Sequence, residues 1–144
     1  MMQQIFAIIL VVCLLLPSAP LAWEEPARGT PTRAALMDAI RPTAEYLLGA
    51  PVEFVVYELR RSGDKAFAMV NAQRPGGVPI DPATTPAVIR GEMDTQQDVT
   101  GAQVFYRLTG NGWIVEEATF GATDVWFATE PFCTRYRALI SDYC

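Results

Sequence analysis

The residues of this chain that could do chemistry are few, and the most telling is a missing one. Histidine is absent. Its absence removes the Ser-His-Asp and Cys-His arrangements, the His-built zinc sites and the ordinary switch near neutral pH. Cys133 and Cys144, the two cysteines outside the N-terminal apolar run, are too few for a structural zinc site. No Gly-rich phosphate loop and no calcium-loop spacing is present. The residues therefore call for no cofactor and no metal.

Carboxylates and guanidiniums remain. Asp124 lies between the end of a strand pattern and two aromatics, Trp126 and Phe127. A carboxylate held against the Trp126 indole can have a raised pKa and act as an acid or base. The structural alternative is that Asp124 caps the turn behind it. Arg74 and Arg107 are candidates for a fork around an anionic ligand. Their alternative is a pair of surface charges on a chain with 16 acidic residues.

Whatever positions these residues must come after residue 22. Ile5 to Leu16 is an unbroken apolar run, too short to span a bilayer and long enough for a signal-peptide core. Pro17-Ser18-Ala19 breaks it, and Ala22 is a plausible last residue before cleavage. No Lys or Arg precedes the run, and Pro20 stands where a small residue is preferred, so an uncleaved anchor is the alternative. Residues 1–22 are read as a signal peptide and 23–144 as a single domain, periplasmic or secreted. Against the alternative of two free thiols or an intermolecular link, an exported chain with two remaining cysteines suggests a Cys133–Cys144 bridge. Geometry permits it: a helix from Cys133 to Ile140 rises ~10 Å, and four extended residues can return ~13 Å.

The net charge is −5, with a single lysine, Lys65. Nucleic acid and anionic membranes call for clustered Lys and Arg, so neither is an expected partner. A small molecule or a protein is.

The elements follow from periodicity. Thr30 can cap a helix and Pro31 suits its first position. Leu36, Ile40, Ala44, Leu47 and Leu48 then recur on one face, until Gly49 and Pro51 stop the helix. Pro42 predicts a kink near Arg41 or two short helices. Trp23 to Gly29 reads as a flexible arm. Val52 to Arg61 alternates, with Val52, Phe54 and Val56 on one face and Val55, Tyr57 and Leu59 on the other. Apolar residues on both faces predict that the start of this strand is covered twice or lies against a helix and a loop. Glu58, Arg60 and Arg61 predict that its end runs into solvent. Ser62-Gly63-Asp64 turns the chain, and Lys65 to Gln73 returns with Ala66, Ala68, Val70 and Ala72 on one face. Small side chains there invite the helix to pack closely.

Residues 74–101 form a long loop with four prolines, Pro75, Pro79, Pro82 and Pro86, and one helical turn expected at Pro86–Arg90. Its two readings are a functional loop and a solvated excursion. A second hairpin follows, Ala102–Thr109 and Trp113–Phe120 about Gly110-Asn111-Gly112. Phe132, Tyr136, Leu139 and Ile140 predict one short amphipathic helix, capped by Asp124 or Thr129. The fold class is α+β: an N-terminal helix on a four-stranded antiparallel sheet of two hairpins, with a short C-terminal helix.

Arg33 to Gly77, together with Gly121 to Trp126, resembles a group of small exported bacterial proteins of unassigned function. The resemblance implies a shared fold and carries no site residues. The topology resembles cystatin-like and NTF2-like folds, which host unrelated functions. Gln97-Asp98-Val99-Thr100-Gly101 is similar to the Gln-x-Val-x-Gly loop of cystatin protease inhibitors. Gly29 and Gly112-Trp113 resemble that family's other two contact points. In that family the loop joins the first two strands after the helix, beside the tryptophan hairpin. An antiparallel meander puts Gln97 to Gly101 at the opposite end.

The expected function is an exported, non-catalytic binding or interaction module. The alternatives are a small enzyme using Asp124 in a helix–sheet cleft, with Arg107 beside it, and a cystatin-like protease inhibitor.

Overall fold

The structure is a computed structural model and describes residues 22–144. The expected signal segment therefore lies outside the described residues, apart from Ala22. Helix α1 spans Pro31–Leu48, with the Thr30 hydroxyl accepting from Arg33 N and Pro31 in the first turn. It runs unbroken through Pro42. Pro42 is exposed, and so is Asp38, whose carbonyl it leaves without a helical donor. Water can serve that carbonyl on the outer face, which is why the helix does not divide there.

Strands β1 (Glu53–Ser62), β2 (Lys65–Gln73), β3 (Gly101–Thr109) and β4 (Gly112–Phe120) form one antiparallel sheet in the order β1-β2-β3-β4. This is the expected α+β arrangement. Leu36 and Ile40 of α1 pack on Ala66, Ala68, Val70 and Val104, all buried. The small face of β2 receives the helix as expected, because methyl groups let the helix axis come close to the sheet.

A bulge at Tyr57 changes the register of β1. Phe54, Val56, Leu59 and Arg61 stand opposite Ala72, Val70, Ala68 and Ala66. The extra residue moves Leu59 to the helix side and sends Glu58 and Arg60 to the other face. Strict alternation had placed Leu59 with Val55. A second bulge, at Glu116 in β4, sets Phe105 opposite Glu117 and Tyr106 opposite Val115.

The second face of the sheet is covered by the C-terminal segment. Phe67 and Phe105 pack there with Phe127, Tyr136, Leu139 and Ile140. In place of one helix the segment has two single turns, α3 (Phe132–Arg135) and α4 (Arg137–Ile140). The break falls at Tyr136, whose ring is drawn to 4.4 Å from that of Phe105. Glu130 caps the first turn: its carboxylate accepts from Thr134 N at 3.2 Å and from Thr134 Oγ1 at 2.9 Å. Neither Asp124 nor Thr129 caps it with a side chain. Cys133 and Cys144 are bridged, with their Cα atoms 5.8 Å apart.

The 74–101 loop builds a second small core. Ile80 and Val99 are buried with Ala44 and Leu48 of α1 and with Val52 and Ala72. Helix α2 is the expected turn, at Pro86–Ile89. Arg90 stacks 4.2 Å from the Tyr46 ring and chelates Glu92. At Gly121 the backbone is left-handed, with φ 78°, which favours glycine where the loop crosses the end of β4. The arm before α1 is tied down as well. Glu24 and Arg61 exchange both backbone hydrogen bonds at 2.8 Å, and Arg33 donates to the Pro26 carbonyl.

Candidate functional site

Arg74 is a helix stop. Its guanidinium donates to the carbonyls of Leu48 at 2.7 Å, of Gly49, and of Pro51 at 3.1 Å. The last carbonyls of a helix lack partners within it, and a guanidinium reaching across satisfies several at once. Arg107 pairs with Lys65 at the far end of β2 from Arg74. The two arginines therefore make no fork. Arg107 also lies on the sheet face opposite α1, so it cannot line a cleft between helix and sheet.

Arg107 instead binds Glu116, the bulge residue, with Nε 2.6 Å from Oε1. Tyr136 donates its hydroxyl to the other oxygen of the same carboxylate. The Tyr136 hydrogen bond, then Arg107, hold the Glu116 carboxyl below its ordinary range. Burial and the Glu116 carboxylate push the Tyr136 phenol well above its own. Near neutral pH the first stays ionised and the second stays protonated, so the pair fixes the C-terminal segment and moves no proton.

Asp124 is exposed, and its side chain takes part in no hydrogen bond or ion pair among the described residues. Trp126 turns away into the aromatic cluster. Its Nε1 donates to Gln103 Oε1 at 2.9 Å, and its ring meets Phe105, Phe127 and Phe132 edge-on. The helix–sheet interface itself is closed, with Leu36, Ile40, Ala66, Ala68 and Val104 fully buried. Among the described residues no three carboxylates or cysteines converge as metal ligands. No helix there is long and apolar enough to cross a membrane.

Val99, the middle of the Gln97–Gly101 stretch, is 1% exposed and belongs to the loop core. The stretch leads into β3 at the Ala102–Phe120 end of the sheet, and Trp113 stands at the other end, opposite Leu108.

Sequence reasoning missed Arg60. It was expected in solvent and is 8% exposed. Its Nη1 donates to Asp142 Oδ1 at 2.6 Å and to the Leu139 carbonyl at 2.7 Å, while Nη2 meets Asp142 Oδ2 at 2.9 Å. Glu58 Oε2 lies 2.8 Å from Nη2, and the Trp23 and Tyr143 rings flank the guanidinium at 4.8 and 5.3 Å. The bulge at Tyr57 aims Arg60 at this face, and nothing in a period-two pattern announces a bulge.

The open surface lies along β1. This strand is one of the two edges of the sheet, the other being β4, and among the described residues only Glu24 pairs with its outer side, at Arg61. The start of the strand does lie against a helix and a loop on one face, where Val52 is buried with Leu48 and Ile80, but the other face is not covered: Val55 is 39% and Tyr57 70% exposed. Two depressions flank this edge. One, of about 250 Å³, is lined by Val55, Tyr57, Asn71, Pro79 and Ile80. The other, of about 380 Å³, is lined by Arg28, Arg33, Met37, Phe54 and Val56. An unpaired strand edge offers a row of backbone donors and acceptors, and adjoining hollows can take alternate side chains of an added strand.

Comparisons with protein families, with curated proteins and with solved structures find no match.

Proposed function

We propose that this protein is an exported, non-catalytic binding module that takes up an extended segment of another protein along β1. One observation carries the reading. Val55 and Tyr57 are exposed apolar residues on an unpaired edge, and hollows lie on either side of them. A strand that only closed a sheet would gain nothing from presenting them to water. The bulge at Tyr57 limits how long a run of regular pairing the edge can offer. That suits a short guest strand and discourages open-ended stacking of copies. The acidic groups around the aromatics support the same reading. Glu116 is held ionised and paired, and Asp124 stands exposed. Export rests on the Ile5–Leu16 run and is compatible with the Cys133–Cys144 bridge.

The test is retention of a partner by immobilised protein exposed to the contents of its own compartment. Val55→Arg and Tyr57→Arg should each lose a partner that wild type retains. Ile114→Arg on the opposite edge and Asp124→Asn should keep it. Retention that ignores both β1 changes would overturn the proposal, as would a turnover that Asp124→Asn abolishes.

A further inference from the structure

We infer that the segment bound along β1 is acidic on one face, its carboxylate meeting Arg28, and uncharged on the other. The inference rests on the strand-addition reading above and adds the chemistry of the guest. Side chains of an added strand alternate between the two faces of the sheet. The two hollows beside β1 differ in charge. The one toward α1 holds two guanidiniums, Arg28 and Arg33, over an apolar floor of Met37, Phe54 and Val56. Arg33 is already engaged, by the Pro26 carbonyl at 3.1 Å and Glu25 at 3.6 Å. Arg28 is exposed and makes no ion pair among the described residues. Of the acids nearby, Glu25 faces Arg33, and Glu53 accepts from Gln73 Nε2 at 2.8 Å. Arg28 is thus the cation left for a guest. The hollow on the other face holds no charged residue: Val55, Tyr57 and Ile80 share its walls with Asn71, Gln73 and Thr100. It suits an uncharged side chain. A lysine or arginine on the guest's α1-side face would meet Arg28 and be disfavoured.

The experiment uses three fluorescent peptides, capped at both ends, in which Val alternates with Glu, Gln or Lys. Capping removes the terminal carboxylate, so any preference reports side chains alone. The Glu peptide should bind about fivefold tighter than the Gln peptide, the gain of one exposed ion pair. Arg28→Glu should reverse the order of the Glu and Lys peptides. Methylating the guest's backbone nitrogens should abolish binding of the Glu peptide. Equal affinity for all three peptides would overturn the acid preference and leave strand addition standing. Binding of none, while wild type still retains a natural partner that Tyr57→Arg loses, would overturn the proposed guest and not the binding surface. A chain that proves dimeric, and becomes monomeric on Tyr57→Arg, would overturn it in favour of a second copy as occupant.

Discussion

Arg60 and Asp142 form a two-pronged ion pair, Nη1–Oδ1 at 2.6 Å and Nη2–Oδ2 at 2.9 Å, that fastens the C-terminal segment to β1. Arg60 is buried and Asp142 largely exposed. Replacing Arg60 by Leu strands two carboxylates beside an apolar face and should cost about 2–3 kcal/mol. Asp142→Asn should cost about 1 kcal/mol. Arg60 holds the Asp142 carboxyl below its ordinary range. A depressed folded value means that this stability is present above the unfolded pKa of about 4 and is lost as pH falls through the folded value. Urea unfolding from neutral pH down to about pH 3 should therefore show wild type weakening more steeply than Asp142→Asn. Parallel curves would show that the pair adds nothing.

Ala68 lies under α1, opposite Leu59 and Val104 and fully buried. Ala68→Phe should cost about 1–3 kcal/mol or more by overpacking. Ile114→Ser, at an exposed position of β4, should stay within about 0.5 kcal/mol. Denaturant midpoints with the disulfide intact compare the two on one unfolded reference. A stable Ala68→Phe would mean that the helix tolerates a larger gap than its packing allows.

Val99 is core. Val99→Asp places a charge among Ala44, Leu48 and Ile80 and should lower stability by about 3 kcal/mol or more. Papain-like proteases should be unaffected by wild-type protein at micromolar concentration. Tight inhibition by wild type that is lost on Gln97→Ala, which leaves Val99 and the loop core in place, would restore the inhibitor reading.

Three of the five tyrosines are raised in pKa. Burial raises Tyr106, whose hydroxyl has no partner, and burial followed by a carboxylate raises Tyr136 and Tyr143. Tyr143 is pushed up to about 12 by burial and by Glu58. A raised folded pKa gives stability that is full below the unfolded value of about 10 and is lost as pH rises through the folded one. Absorbance titration of phenolate should show three late tyrosines, and Tyr143→Phe should remove the step near pH 12. A single step near the free-tyrosine value would show that Tyr106 is not buried under α1 and that Tyr136 and Tyr143 are not packed on the sheet.

Much of this fold is written in periodicity. The spacing of Leu36, Ile40, Ala44 and Leu48, and the small face of β2, each repeat with the period of their own element, so they name both partners of the main interface. Arg60 was illegible for a definite reason. One extra residue at Tyr57 inverts the faces beyond it, and alternation carried past a bulge gives the wrong side. The C-terminal cover was half legible: its aromatics showed, but the turn at Tyr136 depends on Phe105, distant in sequence. Arg74 looked like a ligand cation because its true partners are backbone carbonyls, which every residue carries. The open edge of β1 was hidden because an apolar side chain reads as buried until the neighbouring strand is found missing.

The central claim is that β1 receives a guest strand, and hydrogen exchange tests it most directly. Amides across Glu53–Leu59 should exchange more slowly when the Val/Glu peptide is bound. Those of β4, Gly112–Phe120 at the other edge of the sheet, should be unchanged. Bound peptide with protection confined to β4, or with no change in β1, would contradict the claim.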